Sequence, residues 1–322
     1  MAIDFSECEI INPAGQRLIE MYEKLRRIFI SDRYIYDQLI DEGINFYTMT
    51  NYALYHGNDL LGNVGLYPVS IWFDNEPLEI VGAGAVATIN KYRHQGVAKY
   101  LLQNCMKVID EKKKPSALFT SLLDVYNRCG FQEIEQQYMS VKTCRLHFKN
   151  VGFKHKYMGQ IGSAQTEPMQ NIYENEYPNY NGKVIRTTKP DYWQVYRMMF
   201  NPYENAQLVW CLSQKNKLLG YLRFEISEDR LTVTELCCSG EKLDVAESLL
   251  NSIENLAKAK ALNLVSFALP SEHIFWGFLK SKSIEFFPES TRIHREKFMI
   301  RPPVSQNIGK LARLQWSLAD KF

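Results

Sequence analysis

Residues 82–102 read Gly82-Ala-Gly-Ala-Val-Ala-Thr-Ile-Asn-Lys-Tyr-Arg-His-Gln-Gly-Val-Ala-Lys-Tyr-Leu-Leu102. Gly82 to Ile89 is a run of small and β-branched residues, which predicts a strand carrying little side-chain bulk. A loop, Asn90 to Gln95, follows it, and Gly96 opens a helix. Along that helix Val97, Tyr100, Leu101, Cys105, Val108 and Ile109 recur at steps of three and four and form one apolar stripe. Lys99, Gln103, Lys107 and Lys112 fall off the stripe, toward solvent. The helix ends at Lys112-Lys-Lys-Pro115, where basic residues suit the negative end of the macrodipole and proline stops propagation.

The junction between strand and helix carries the chemistry. A helix N-terminus presents unpaired backbone N–H groups and a partial positive charge. Gly96 and Ala98 keep bulk away, so a pyrophosphate can approach the backbone closely. Arg93 can add a bidentate contact to a phosphate. Taken alone, an Arg-x-x-Gly-x-Ala run also describes a plain strand–loop–helix junction whose small residues serve packing.

Working outward, residues 15–45 carry helical spacing with aromatics. Strands are predicted at Asn51–His56 and Leu60–Tyr67, and again at Val69–Phe73 and Leu78–Val81 across an Asp-Asn-Glu turn. Beyond the helix come a short strand, Ala117–Leu122, and the segment Tyr126-Asn-Arg-Cys-Gly-Phe131. Residues 150–183 show no clear period and read as a linker. The order of elements then repeats: a helix at Asp191–Phe200, strands at Gln207–Ser213, Lys217–Ile226 and Leu231–Cys238, a helix at Leu243–Ala261, a strand at Asn263–Leu269, and a short helix at Phe275–Ser281. Val97-Ala-Lys-Tyr-Leu-Leu102 aligns with Val245-Ala-Glu-Ser-Leu-Leu250, so the chain reads as two copies of one α/β unit.

Composition narrows the function classes. With 322 residues, 46% hydrophobic and 23% charged, the chain is globular and long enough for two domains. A net charge of +2 argues against a nucleic-acid surface. Cys8, Cys105, Cys129, Cys144, Cys211, Cys237 and Cys238 are odd in number and lack C-x-x-C spacing, which suits a reducing compartment and predicts neither a disulfide framework nor a metal site. Met1 to Glu9 is acidic and polar, unlike a secretory signal, and no window reaches the apolar length of a membrane span. A cytoplasmic protein without membrane or nucleic-acid partners is expected; the oligomeric state is left open.

Strand 86–89, Arg93-His-Gln-Gly-Val-Ala98 and Tyr126-Asn-Arg-Cys-Gly-Phe131 together resemble the GCN5-related N-acetyltransferase (GNAT) superfamily, whose motif A is a strand, Q/R-x-x-G-x-G/A and a helix. Gly82-Ala-Gly-Ala-Val-Ala-Thr88 leading into Tyr92-Arg93 is similar to the subgroup related to the enhanced-intracellular-survival acetyltransferases. The resemblance covers residues 1–145. It implies an α+β fold of two tandem units, each a mixed, mostly antiparallel sheet flanked by helices. The division expected is a catalytic domain at 1–148, a linker at 149–183, a degenerate GNAT-like domain at 184–302 and a tail at 303–322.

The resemblance also implies acetyl-CoA as acyl donor, no metal, and transfer to a primary amine of a small molecule. Backbone groups of Val86, Ala87 and Thr88 would pair with the pantetheine arm. Arg93 and the amides of His94, Gln95, Gly96, Val97, Ala98 and Lys99 would hold the pyrophosphate. Ser121 and Leu122 would line the other side of the thioester, and Tyr126 would protonate the leaving sulfur. The carboxylate that many GNAT enzymes carry on the strand before motif A is missing from Gly82–Ile89. Asp124, Glu79 through a water, His94 and the terminal carboxylate of Phe322 remain as candidate bases.

In the second copy Glu241 aligns with Arg93, Asp244 with Gly96 and Leu279 with Tyr126. Two carboxylates at a pyrophosphate site repel the ligand, and leucine has no proton to give. The second unit is therefore expected to keep the scaffold without the chemistry. A non-catalytic acyl-CoA binder and a structural tandem adaptor are the alternatives to an enzyme.

Overall fold

The computed structural model describes residues 3–31, 33–41, 49–136, 138–176, 180–187, 192–200, 207–240, 242–270, 273, 275–289, 296–303 and 311–314. Glu241, Tyr177 and Phe322 lie outside these residues.

Two seven-stranded sheets share one plan. The first contains β1 (Cys8–Ile11), β2 (Thr50–His56), β3 (Asp59–Phe73), β4 (Glu76–Thr88), β5 (Ser116–Thr120), β6 (Gln132–Glu133) and β14 (Lys297–Arg301), in the spatial order β1-β2-β3-β4-β5-β14-β6. The second contains β7 (Tyr138–Lys142), β8 (Lys154–Met158), β9 (Leu208–Leu212), β10 (Leu218–Ser227), β11 (Arg230–Cys238), β12 (Leu264–Phe267) and β13 (Phe287–Glu289), in the order β13-β7-β12-β11-β10-β9-β8. In each, the pairing is antiparallel except at the centre, where β4 runs parallel to β5 and β11 to β12. The sequence reading of two mixed, mostly antiparallel units flanked by helices holds.

Strand pairing does not follow the expected division at 148 and 302. Thr120 of β5 pairs with Lys297 of β14, and Phe267 of β12 pairs with Met139 of β7. Each half of the chain thus lends the other its sixth strand. The segment read as a linker also carries β8, an edge strand of the second sheet, and α5 (Ser163–Asn171). Within that segment Tyr173 is buried against the Arg186 guanidinium, and Glu174 accepts from the Arg186 amide.

The predicted strand breaks near Pro68 and Gly82 are absent, and β3 and β4 each run through. Val81 donates its N–H to Pro115 on the far side of β4, so Val81 and Pro68 form a non-hydrogen-bonded pair. The donor that Pro68 lacks would face past the end of β2, whose last pair is Thr50 with Leu66. Proline therefore costs the ladder nothing there.

Helix α3 (Val97–Lys112) packs its predicted stripe on one face of the first sheet, burying Val97, Leu101, Cys105 and Ile109 against Leu54, Val64 and Val81. Helices α1 (Gln16–Leu25) and α2 (Arg33–Asp41) bury Met21, Tyr22, Leu25 and Leu39 against Tyr55 and Ala87. In the second unit α7 (Leu243–Ala259) takes the place of α3. The order is completed by α4 (Leu123–Asn127), α6 (Tyr192–Met198) and α8 (Phe275–Ser281).

Candidate functional site

β4 and β5 pair only at Val81–Ser116 and Gly82–Ala117, then part. Beyond Gly82 one edge of β4 faces a cleft. A bulge sets the geometry of that edge: two residues, Ala85 and Val86, stand opposite Val64, and Ala85 takes φ +48°. The buried Asn63 amide holds the bulge by donating to Ala85 O (3.2 Å) and to Asn51 Oδ1 (3.3 Å). Past the bulge Ile89 N bonds Leu61 O, which fixes the alternation of the ladder. The main chain of Ala87 therefore faces β3, while the main-chain groups of Val86 and Thr88 point across the open edge. Ala87 lines the cleft but has no backbone groups to spare for a ligand, unlike the expectation for it.

The loop into α3 is tied down away from the cleft. Tyr92 Oη (2.8 Å) and Lys91 Nζ (2.9 Å) both bind Asp59, and the Gln95 amide returns to Lys91 O (3.0 Å). His94 and Gly96 adopt left-handed conformations, φ +63° and +87°. Gly96 is the N-cap of α3 and contributes no side-chain cap. As a result the backbone N–H groups of residues 94–99 donate to no protein group among the described residues; the amide bonds on either side are those of Arg93 to Asn90 O and Tyr100 to Gly96 O. Unpaired amides at a helix N-terminus attract an anion. Arg93 and Lys99 stand exposed beside them.

A cavity of about 530 Å³ joins these features. Val86, Ala87 and Thr88 form one wall, Arg93, His94, Gly96, Val97, Ala98 and Lys99 a second, and Leu122 and Tyr126 a third. Of the residues expected from the sequence, Gln95 and Ser121 do not line it: the Gln95 side chain is spent on the loop, and Ser121 is exposed at the turn after β5. Ile28, Tyr92 and Val125 line it without having been singled out. Ile28 was absorbed into a helical stripe, yet α1 stops at Leu25 and leaves Ile28 in the following turn. Leu122 is 62% exposed, an apolar wall left in contact with solvent.

Tyr126 is 7% exposed, with its ring edge-on to Phe131. Its phenol is pushed up to about 12, chiefly by burial, with the charges of Cys129 and Glu296 adding and the Thr120 hydroxyl bond opposing. At neutral pH it holds its proton. No Asp or Glu lines the cavity among the described residues. Glu79 pairs with Lys114 well before the open part of β4, and Asp124 is exposed on α4 away from the lining.

The second unit has the same frame with the opening filled. Gly62 and Gly220 are counterparts: a methyl at Gly62 would meet Ala87 O at 2.6 Å and Val97 at 2.8 Å, and one at Gly220 would meet Cys237 O at 2.8 Å and Val245 at 2.9 Å. That superposition sets Val86 against Leu236. Leu236 O accepts from His273 Nε2 (3.0 Å), and burial drives His273 down to about 4, keeping it neutral. The loop before the helix spans 239–242 instead of 89–96, four residues shorter. At the start of α7 Val245 N bonds Asp244 Oδ1 (2.9 Å) and Lys242 O. Here His273 occupies the edge, and the chain itself takes up the amide of Val245.

A family model described as the acetyltransferase (GNAT) domain matches residues 32–134. No curated protein matches the sequence significantly. Among solved structures, the chain resembles a probable N-acyltransferase from Enterococcus faecalis V583 (15% identity over 92% of this chain and 72% of that one, TM-score 0.66). It is also similar to a GCN5-related N-acetyltransferase from Anabaena variabilis (16%, 91% and 72%, TM-score 0.63) and to Eis1 from Mycobacterium abscessus (12%, 92% and 73%, TM-score 0.57). At these identities the structural likeness concerns the fold. Residues 32–134 thus match the acetyltransferase (GNAT) domain, within a chain whose two sheets share one GNAT-like plan.

Proposed function

We propose that the protein is an acetyl-CoA-dependent N-acetyltransferase that acylates a primary amine of a small molecule, in the cytoplasm, by direct attack in a ternary complex. The observation that carries this reading is the convergence of the open β4 edge, the unbonded amides of residues 94–99 and protonated Tyr126 on one cavity. These groups fit the parts of the donor: the amides with Arg93 and Lys99 suit a diphosphate, Val86 and Thr88 suit the amides of a pantetheine arm, and Leu122, Val125 and Ile28 suit its apolar portions.

Acetyl-CoA, when bound, supplies an activated acyl carbon and a thiolate leaving group. The neutral amine nitrogen bonds to that carbon, the C–S bond breaks, the nitrogen releases its extra proton to solvent, and the hydrogen bond from Tyr126 Oη stabilises the thiolate as it departs. Holding both reactants at one sheet edge supplies much of the rate. The cost of freeing the amine is large, because an alkylammonium of pKa ~10.4 is neutral in only about one molecule in two thousand at pH 7.

One observation favours a second reading, a non-catalytic acyl-CoA binder: no carboxylate lines the cavity to take that proton. Two measurements decide. Acetyl-CoA at a hundred times its Kd should stabilise the protein by about 2.7 kcal/mol in a thermal melt. Amine-dependent thiol release should follow in a screen of amino sugars, polyamines and aminoglycosides. Binding without release selects the second reading, and no binding overturns both.

A further inference from the structure

The mouth of the cavity is apolar and open to water. Ile30 is 72% exposed, Leu122 62% and Val125 39%, and the first two are the most exposed large apolar side chains among the described residues. Leu122 and Val125 line the cavity from the start of α4, and Ile28 lines it from the turn after α1. Ile30 belongs to that same turn, lines no part of the cavity and extends the apolar rim past it. Both carriers are held in place: Leu122 N donates to Thr120 Oγ1 (2.9 Å), while the turn is fixed by the Arg26–Asp37 ion pair (2.9 Å) and by Phe29 stacked on Tyr36 (5.7 Å between ring centroids). Apolar side chains grouped at a cavity mouth, unlike ones scattered singly, mark a site for an apolar ligand.

The polar groups of the cavity fit that ligand's charge. Among the described residues the formal charges on its lining are those of Arg93 and Lys99, which stand with the unbonded amides at the diphosphate wall, as does His94. Tyr126 keeps its proton at neutral pH, Tyr92 is bonded to Asp59, and Asp124 is exposed on α4 away from the lining. An ammonium passing this rim loses water without meeting a carboxylate, and must shed its proton unaided. An aromatic amine carries neither burden, because it is uncharged at neutral pH and its ring suits the exposed rim.

We propose that the acceptor is a weakly basic aromatic amine whose ring rests between the turn of Ile28 and Ile30 and the Leu122–Val125 face of α4. The inference rests on the acetyltransferase reading and narrows it to one class of nucleophile. The amine nitrogen bonds to the acyl carbon, the C–S bond breaks, the thiolate leaves, and the extra proton on nitrogen passes to solvent.

The test measures thiol release by the full chain with 4-methoxyaniline (aromatic, neutral), benzylamine (aromatic, cationic) and spermidine (polar, cationic). At pH 7 kcat/KM for 4-methoxyaniline should exceed that for spermidine by about tenfold or more. Between pH 6 and pH 8 kcat/KM for benzylamine should rise nearly tenfold per unit, following its neutral fraction, while that for 4-methoxyaniline stays level within about threefold. Ile30→Asp places a carboxylate on the rim and should lower the 4-methoxyaniline to spermidine ratio about tenfold, with the Kd for acetyl-CoA unchanged as the check on folding. Spermidine matching 4-methoxyaniline in the wild type, a level pH profile for benzylamine, or a ratio unmoved in Ile30→Asp overturns the proposal. If acetyl-CoA binds and none of the three amines releases thiol, the acetyltransferase reading itself has failed and takes this inference with it.

Discussion

At the scale of single residues, the acid–base properties of Tyr126 set what it can do. A phenol near 12 facing a thiol of pKa ~8.5 will not give up its proton completely to a departing thiolate, so its contribution is a hydrogen bond strengthened as negative charge grows on sulfur. Tyr126→Phe should therefore lower kcat by about 10²-fold, within the usual range for a positioned acid, and leave the KM for acetyl-CoA nearly unchanged. Steady-state kinetics check this, and an equal loss in both parameters would point to a packing role. The raised value has a sign in pH as well. Rates should not decline through tyrosine ionisation below about pH 10. The folded state holds this proton up to about 12 and the unfolded chain only to about 10, so stability falls by about 1.4 kcal/mol per pH unit across that window, and denaturation at pH 9 and pH 11 should record a loss of about 1–1.5 kcal/mol. Tyr126 was legible because a local motif, Tyr-x-x-x-Gly-Phe, surrounds it. Strand β14 was not, since nothing near Lys297 in the sequence marks it as the partner of Thr120.

At the scale of elements, the site depends on how closely α3 sits against β3. Gly62 permits that approach, and any side chain there would collide with the Ala87 carbonyl, which cannot yield, as well as with the Val97 side chain. Gly62→Ala should destabilise the protein by about 1–3 kcal/mol and weaken acetyl-CoA binding, because it pushes apart the strand and the helix start that form two walls of the cavity. Gly220→Ala should cost a similar amount and leave acetyl-CoA affinity unaltered, since at its helix start Val245 N is already bonded to Asp244 Oδ1. Melting curves with and without the cofactor separate the two; equal loss of affinity would sink the assignment of the cofactor to the first unit. The sequence made the strand, loop and helix of this junction readable through small residues and a three-four stripe. The bulge at Ala85 escaped, because an alanine at positive φ has no sequence signature and is imposed by its partners, the buried Asn63 among them.

Across the whole molecule, the duplication was readable from the order of its elements, whereas the exchange of β7 and β14 was not. Hydrophobic periodicity announces a strand but not its neighbour, and both strands pair with residues far away in the chain. The exchange binds the halves together. Gly182, Lys183 and Ile185 add main-chain bonds to Trp72 and Ser70 of β3 (2.8 Å each), and one residue further Arg186 enters the second unit as a bidentate, fully buried partner of Glu235 (2.8 and 3.0 Å). Thermal unfolding should consequently be a single transition rather than two. A fragment of residues 1–148 holds every residue expected to touch acetyl-CoA, yet it lacks β14 and would expose the apolar edge left by Phe298 and Ile300 beside Ala117. It should be poorly folded and bind no acetyl-CoA, whereas the two halves expressed together should recover binding. Calorimetry on the fragment decides: a sharp melt that rises with acetyl-CoA would mean that the borrowed strand is dispensable.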